Sequence, residues 1–137
     1  MEAFKIFDIS ASAMFAQRER MNVLASNMAN AHTTKTETGT PYIRKDVIFA
    51  SIPIPSNPAP LYGVGVYNII NDNSPFKVVY QPGHPDADKD GFVRYPNVDV
   101  VKEMVNMMMA MRAYEASASA FNISKTMYMK LLEVGRV

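Results

Sequence analysis

The stretch from Asn97 to Val134, which from Val98 onward reads VDVVKEMVNMMMAMRAYEASASAFNISKTMYMKLLEV, decides the fold. It holds no proline, and the nearest glycine, Gly135, lies one position past its end. Met, Leu, Ala, Lys and Glu dominate it, and their helix propensity predicts a single unbroken helix. Asp99 is placed to cap the N-terminus, its carboxylate at the positive end of the helix dipole. Gly135 is placed as the C′ residue, and Lys130 supplies a cation near the other end. Roughly 35 residues at 1.5 Å each make a helix about 50 Å long.

That length sets the problem for the rest of the chain. Positions spaced alternately by four and three give Val100, Met104, Met107, Met111, Tyr114, Ala118, Phe121, Lys125, Tyr128 and Leu132, all but Lys125 able to pack apolar surface. A second row runs beside it: Ala113, Ala116, Ala120, Ile123, Met127, Leu131 and Val134. Two apolar stripes on one helix leave two readings open. One is a long helix in an ordinary bundle; the other is a helix completed by other chains, since a chain of this size builds little core of its own.

Residues 2–30 read as a second long helix. Phe4, Phe7, Ala11, Met14, Arg18, Met21, Ala25 and Met28 repeat the same spacing, with only Arg18 polar. Asn27, Asn30 and the His32-Thr33-Thr34 run predict its end near residue 30. Residues 31–98 differ in kind, holding all nine prolines and five of the six glycines. Tyr42–Phe49 and Tyr62–Ile70 read as strands, and Phe76–Tyr80 and Phe92–Tyr95 as shorter ones. Pro53, Pro55, Pro58 and Pro60 make residues 51–60 an extended loop. Residues 71–75 and 82–85 read as turns. The expected fold is α+β: an N-terminal helix in 1–33, a Pro-rich β insert in 34–98 and a C-terminal helix in 99–137. The two helices pair as one coiled-coil-like unit.

Composition excludes several classes. The chain of 137 residues is 48% hydrophobic with a net charge of +1 and no cysteine. No basic block is available for nucleic acid, and no Cys nucleophile or thiolate metal site exists. The first twenty residues lack a signal-peptide pattern, Glu2 and Asp8 interrupting any apolar run, and no window is long enough for a membrane span. Asp86, Asp88, Asp90 and Gly91 match the first half of a calcium loop, so a calcium-binding module is an alternative reading. The twelfth position, however, is Asn97 rather than Glu, and the same residues also make an acidic turn that ends in glycine. His84 with Asp86 would serve as a base and its orienter, but no nucleophile or oxyanion nest accompanies them. No enzyme and no cofactor is predicted. Met107-Met108-Met109 points around most of a helix turn, so part of it faces beyond the chain's own seam.

Met21-Asn22-Val23-Leu24-Ala25-Ser26-Asn27-Met28-Ala29-Asn30-Ala31 resembles the N-terminal signature of bacterial flagellar axial proteins, the rod and hook family. Residues 80–88 and 91–98 resemble a segment typical of its proximal-rod members. Glu103-Met104-Val105 and Arg112-Ala113-Tyr114-Glu115-Ala116 resemble the family's C-terminal signature. The resemblance covers nearly the whole chain, in order, and leaves residues 51–60 unmatched. It implies a non-enzymatic structural subunit of the flagellar basal body. Such proteins are exported without a cleaved signal by the type III machinery and assembled into a torque-transmitting shaft that crosses the periplasm and encloses the export channel. Partners are copies of itself, neighbouring rod proteins, and the basal-body and export machinery. The expected assembly residues are Met21, Leu24, Ala25, Asn27, Met28 and Asn30 in the first helix. In the second they are Met104, Met108, Met111, Arg112, Tyr114, Glu115 and Phe121, with Arg112 and Glu115 close enough to pair. Gly83, His84, Pro85, Asp86 and Gly91 are expected to form a turn that orients the insert.

Overall fold

The computed structural model describes residues 3–56 and 60–135. Helix α1 spans Ala3–Ala29 and helix α2 spans Val100–Val134. Between them lie strands β1 (Lys45–Ile54), β2 (Leu61–Asn71), β3 (Lys77–Tyr80) and β4 (Phe92–Tyr95). The arrangement is α+β, two terminal helices around a small insert of two antiparallel ribbons, β1–β2 and β3–β4.

Helix α2 is one unbroken run of 35 residues. Asp99 caps it as expected, its Oδ1 accepting from the backbone N–H groups of Val101 at 3.1 Å and Lys102 at 3.3 Å. The other end differs from expectation. Gly135 has φ −77°, right-handed rather than left-handed, and its N–H donates to the Leu131 carbonyl at 3.0 Å. Lys130 spends its charge on Glu133 at 2.8 Å. Helix α1 ends where expected, as Asn30 donates from Nδ2 to the Ser26 carbonyl and accepts from the Thr33 hydroxyl.

The helices pair antiparallel. The Phe4 ring lies 5.2 Å from that of Tyr128 and the Phe7 ring 4.9 Å from that of Phe121, while Asn27 meets Glu103 at the opposite end. The face that α2 turns inward follows the row counted from Val100 only in part, at the half-buried Met107, Ala118, Phe121 and Tyr128. It carries Glu103, Ala110, Ala113, Ser117, Phe121, Ser124 and Tyr128, while Met104, Met111, Tyr114 and Leu132 stay exposed. Small side chains explain the choice. Ala16 on α1 and Ala110 on α2 are both fully buried, and small side chains there let the helices approach closely.

Strand β1 begins three residues later than expected and runs on through Pro53 to Ile54, into the segment read as loop. A bulge falls between Ile48 and Phe49. The proline is tolerated for a geometric reason. Val64, opposite Ser51, turns its N–H away from β1 and donates it to Ser12 Oγ on α1 at 3.1 Å. Pro53, two residues along opposite Tyr62, occupies the same kind of pair, so its missing N–H falls on the open edge. Residues 57–59 of the proline loop lie outside the described residues.

The Gly63–Gly65 segment lets β2 lie directly on α1. A Cβ at Gly63 would come within 2.7 Å of Ser12 Oγ, which is itself held by the Ile9 carbonyl and the Val64 N–H. A Cβ at Gly65 would meet only the Ile52 side chain, which is half exposed and free to swing. Gly63→Ala is therefore expected to cost about 2 kcal/mol, and Gly65→Ala much less. Chemical denaturation of the two variants checks the order.

Candidate assembly site

Asn27, near the C-terminal end of α1, is fully buried and uses its whole side chain. Its Nδ2 donates to the Lys45 carbonyl at 2.8 Å and to Glu103 Oε2 at 2.9 Å. Its Oδ1 accepts from the Lys45 N–H at 2.9 Å and from the Tyr42 hydroxyl at 3.0 Å. The amide thus closes the end of β1 as a neighbouring strand would, and holds α2 with the same group. Glu103, 1% exposed, takes Arg44 Nε on its other oxygen at 2.7 Å. The Arg44 guanidinium also reaches Asp46 and Asp72, each at 3.3 Å. Asn97 completes the cluster: it accepts from the Arg44 N–H and donates to the carbonyls of Asp72 and Ser74.

Burial alone would lower the Arg44 pKa, but the hydrogen bond and charge of Glu103, with Asp46, more than reverse this and raise it. Asp72 is held below its ordinary value of 3.8 chiefly by hydrogen bonds from the Ser74 hydroxyl and N–H, with Arg44 adding to them. A depressed carboxylate stabilises the fold above its unfolded pKa, and that contribution is lost as pH falls through the folded value. Acid titration of stability should therefore show a component below about pH 3.8 that Asp72→Asn removes.

Of the assembly residues expected from sequence, Leu24 and Asn27 are buried within the chain's own fold, and Phe121 is half-buried against Phe7. Met21, Met28 and Asn30 are half-buried, and Ala25 is exposed. Met104, Met108, Met111, Arg112, Tyr114 and Glu115 all face outward from α2, with Arg112 and Glu115 paired at 3.1 Å. Val101, Val105, Met109, Ile123, Met127, Leu131 and Val134 are exposed with them, so apolar surface lies open on both halves of α2. Arg44, Asp72 and Asn97 are site residues that sequence reasoning does not find. The available signal is Glu103, a carboxylate on a helix otherwise striped with apolar and small residues.

The acidic turn does not converge on a metal. Asp88 Oδ1 accepts from the N–H groups of Asp90 and Phe92, and Asp86 accepts from the Thr34 hydroxyl. Gly91 supplies φ +82°. Among the described residues no group of three His, Asp or Glu side chains is placed to hold an ion, which leaves the calcium-module alternative without support. His84 accepts the Asp86 N–H at Nδ1 and lies edge-on to Tyr95, with Pro85 in the same exposed turn and Gly83 in open space.

Comparison with known proteins decides the family. Residues 7–35 match the flagella basal body rod protein family, and residues 89–134 match the C-terminal family of the flagellar basal body rod FlgEFG proteins. The flagellar basal-body rod protein FlgC of Escherichia coli O6:H1 is 46% identical over 99% of this chain and 100% of its own length. The chain belongs to the FlgC family of flagellar basal-body rod proteins. The FlgC of Aquifex aeolicus is 43% identical over 97% of each chain, and that of Bacillus subtilis is 42% identical over 99% of this chain and all of its own. Membership makes this chain a structural subunit of the basal-body rod. Among the described residues no helix is long and apolar enough to cross a membrane.

Proposed function

We propose that the chain builds the rod by burying the uncovered apolar face of α2, with the exposed side of α1, against copies of itself and neighbouring rod proteins. The observation that carries this is the exposure of large apolar side chains on both halves of α2, from Val101 (70%) to Tyr114 and from Ile123 to Val134 (74%). Isolated apolar residues on a surface are ordinary; two large exposed clusters on one long helix mark an interaction surface. Burial at about 25 cal/mol per Å² offsets the entropy of ordering and docking each subunit. Flexible methionines suit a surface that meets non-identical neighbours. Many small contacts then carry torque through the shaft. The chain reaches its site through the flagellar export machinery without a cleaved signal, and the rod it joins crosses the periplasm.

The test is fractionation of a swimming strain that carries a tagged copy of this chain as its sole FlgC-family protein. The tag is expected in purified basal bodies after detergent and salt washing. A tag that stays wholly in the wash, from cells that swim, would overturn the reading.

A further inference from the structure

Divided at the link between β2 and β3, the chain falls into two halves. The first is α1 with β1–β2; the second is β3–β4 with α2. Each ribbon pairs only within its own half, and among the described elements the contact between halves is α1 on α2. The covalent link, residues 72–76, is short but extensible: five residues reach about 17 Å. The halves therefore depend on side chains to fix how far along each other the helices sit.

The helix contact alone specifies this poorly. Its inward face repeats every seven residues. Phe121 and Tyr128 follow one another at that interval on α2, as do Ala110, Ser117 and Ser124; Phe7, Met14, Met21 and Met28 do so on α1. Slide α2 by seven residues, about 10 Å along the axis, and Tyr128 takes the place of Phe121 while Ser117 takes that of Ala110. Over the middle of the contact, aromatic replaces aromatic at Phe121 and small replaces small at Ala110 and Ser117. Besides the far end, where Gly135 would come opposite Phe4 and Leu131 would take the place of Ser124, the mismatch falls on Glu103, because Ala110 would arrive opposite Asn27. The Asn27 amide and the Arg44 guanidinium would then lose their buried acceptor, a costly loss in a dry site.

We infer that the buried Asn27–Glu103–Arg44 cluster is a register pin. It selects one axial alignment of α1 on α2 from alternatives spaced seven residues apart, and thereby fixes the phase between the outward stripes of the two helices. Burying a charged pair is a poor way to gain stability over an apolar contact, and its best-attested use is to specify register. The inference concerns the single chain and stands independently of the assembly reading.

The chain has no cysteine, so Asn22→Cys and Thr126→Cys place two spin labels uniquely on exposed positions of α1 and α2. Double electron–electron resonance on this chain should give one narrow distance. Glu103→Gln, which keeps the shape and a hydrogen-bonding oxygen, should retain it. Asn27→Leu with Glu103→Leu should keep helical circular dichroism and add a second population displaced by about 10 Å. The decisive variant moves the pin: Glu103→Ala with Ala110→Glu should shift the main population shorter by about 10 Å. An unchanged single distance in the transposed variant overturns the inference. So does its unfolding, since the slipped register must then be unavailable. Should the leucine pair unfold, the transposed variant alone decides.

Discussion

Glu103→Ala is expected to lower the folding stability of the chain by about 3–5 kcal/mol, the largest effect of any single truncation in the insert or helices. The carboxylate is buried at the one place where α1, α2 and the start of β1 meet, and it satisfies Asn27 and Arg44 together. Removing it leaves a buried amide donor without an acceptor and a cation with only its weaker, longer contacts to Asp46 and Asp72. The chain has little else to compensate with. Among the described residues the fully enclosed apolar side chains are few, three alanines with Leu24, Val93 and Val98. A domain of this kind is only marginally stable, so the loss is expected to take much of the total. Urea denaturation followed by circular dichroism reads it directly. A shift under about 1 kcal/mol would show that the cluster is open to water or replaceable, contrary to its geometry.

Met108→Asp should leave the isolated chain almost unchanged and act on the rod. Met108 is 65% exposed on α2, so a carboxylate there should change monomer stability by no more than about 0.5 kcal/mol. In the proposed rod packing the same side chain lies against a neighbour, where an unpaired charge taken out of water would cost several kcal/mol at each copy. The variant should be made and folded normally, but absent from basal bodies, and cells depending on it should not swim. Normal swimming would contradict the assignment of this face to assembly.

The contrast between these two positions shows what the sequence alone makes legible. Helix lengths follow from the distribution of proline and glycine, and the Asp99 cap from its place before the first helical residue. The order of the four strands follows from β-branched runs between turn residues. The inward face of α2 does not. Its apolar residues occupy several parallel rows of the same spacing, and periodicity cannot rank rows that differ only by rotation about one axis. The ranking comes from packing, which prefers the row with Ala110, Ala113 and Ser117. Pro53 reads as a loop residue in the sequence because its effect depends on which way its nitrogen faces, and that follows from the register of β1 on β2. The anchor of Asn27 with Glu103 spans 76 positions in sequence. Asn27 stands out for its place in a family signature, whereas Arg44 and Asn97, in the segments flanking the insert's strands, give no local sign of converging on it.

The central claim is that the outward face of α2 is free in the single chain and covered in the rod. Because the chain lacks cysteine, single substitutions Val105→Cys, Met109→Cys and Leu131→Cys report on that face one position at a time. Maleimide reactivity measured on the isolated chain and on purified rods tests the claim most directly. All three thiols are expected to react rapidly in the isolated chain and to be shielded in the rod. Equal reactivity in both states would mean that this face of α2 stays in water after assembly, and that something other than burial of the α2 stripe holds the rod together.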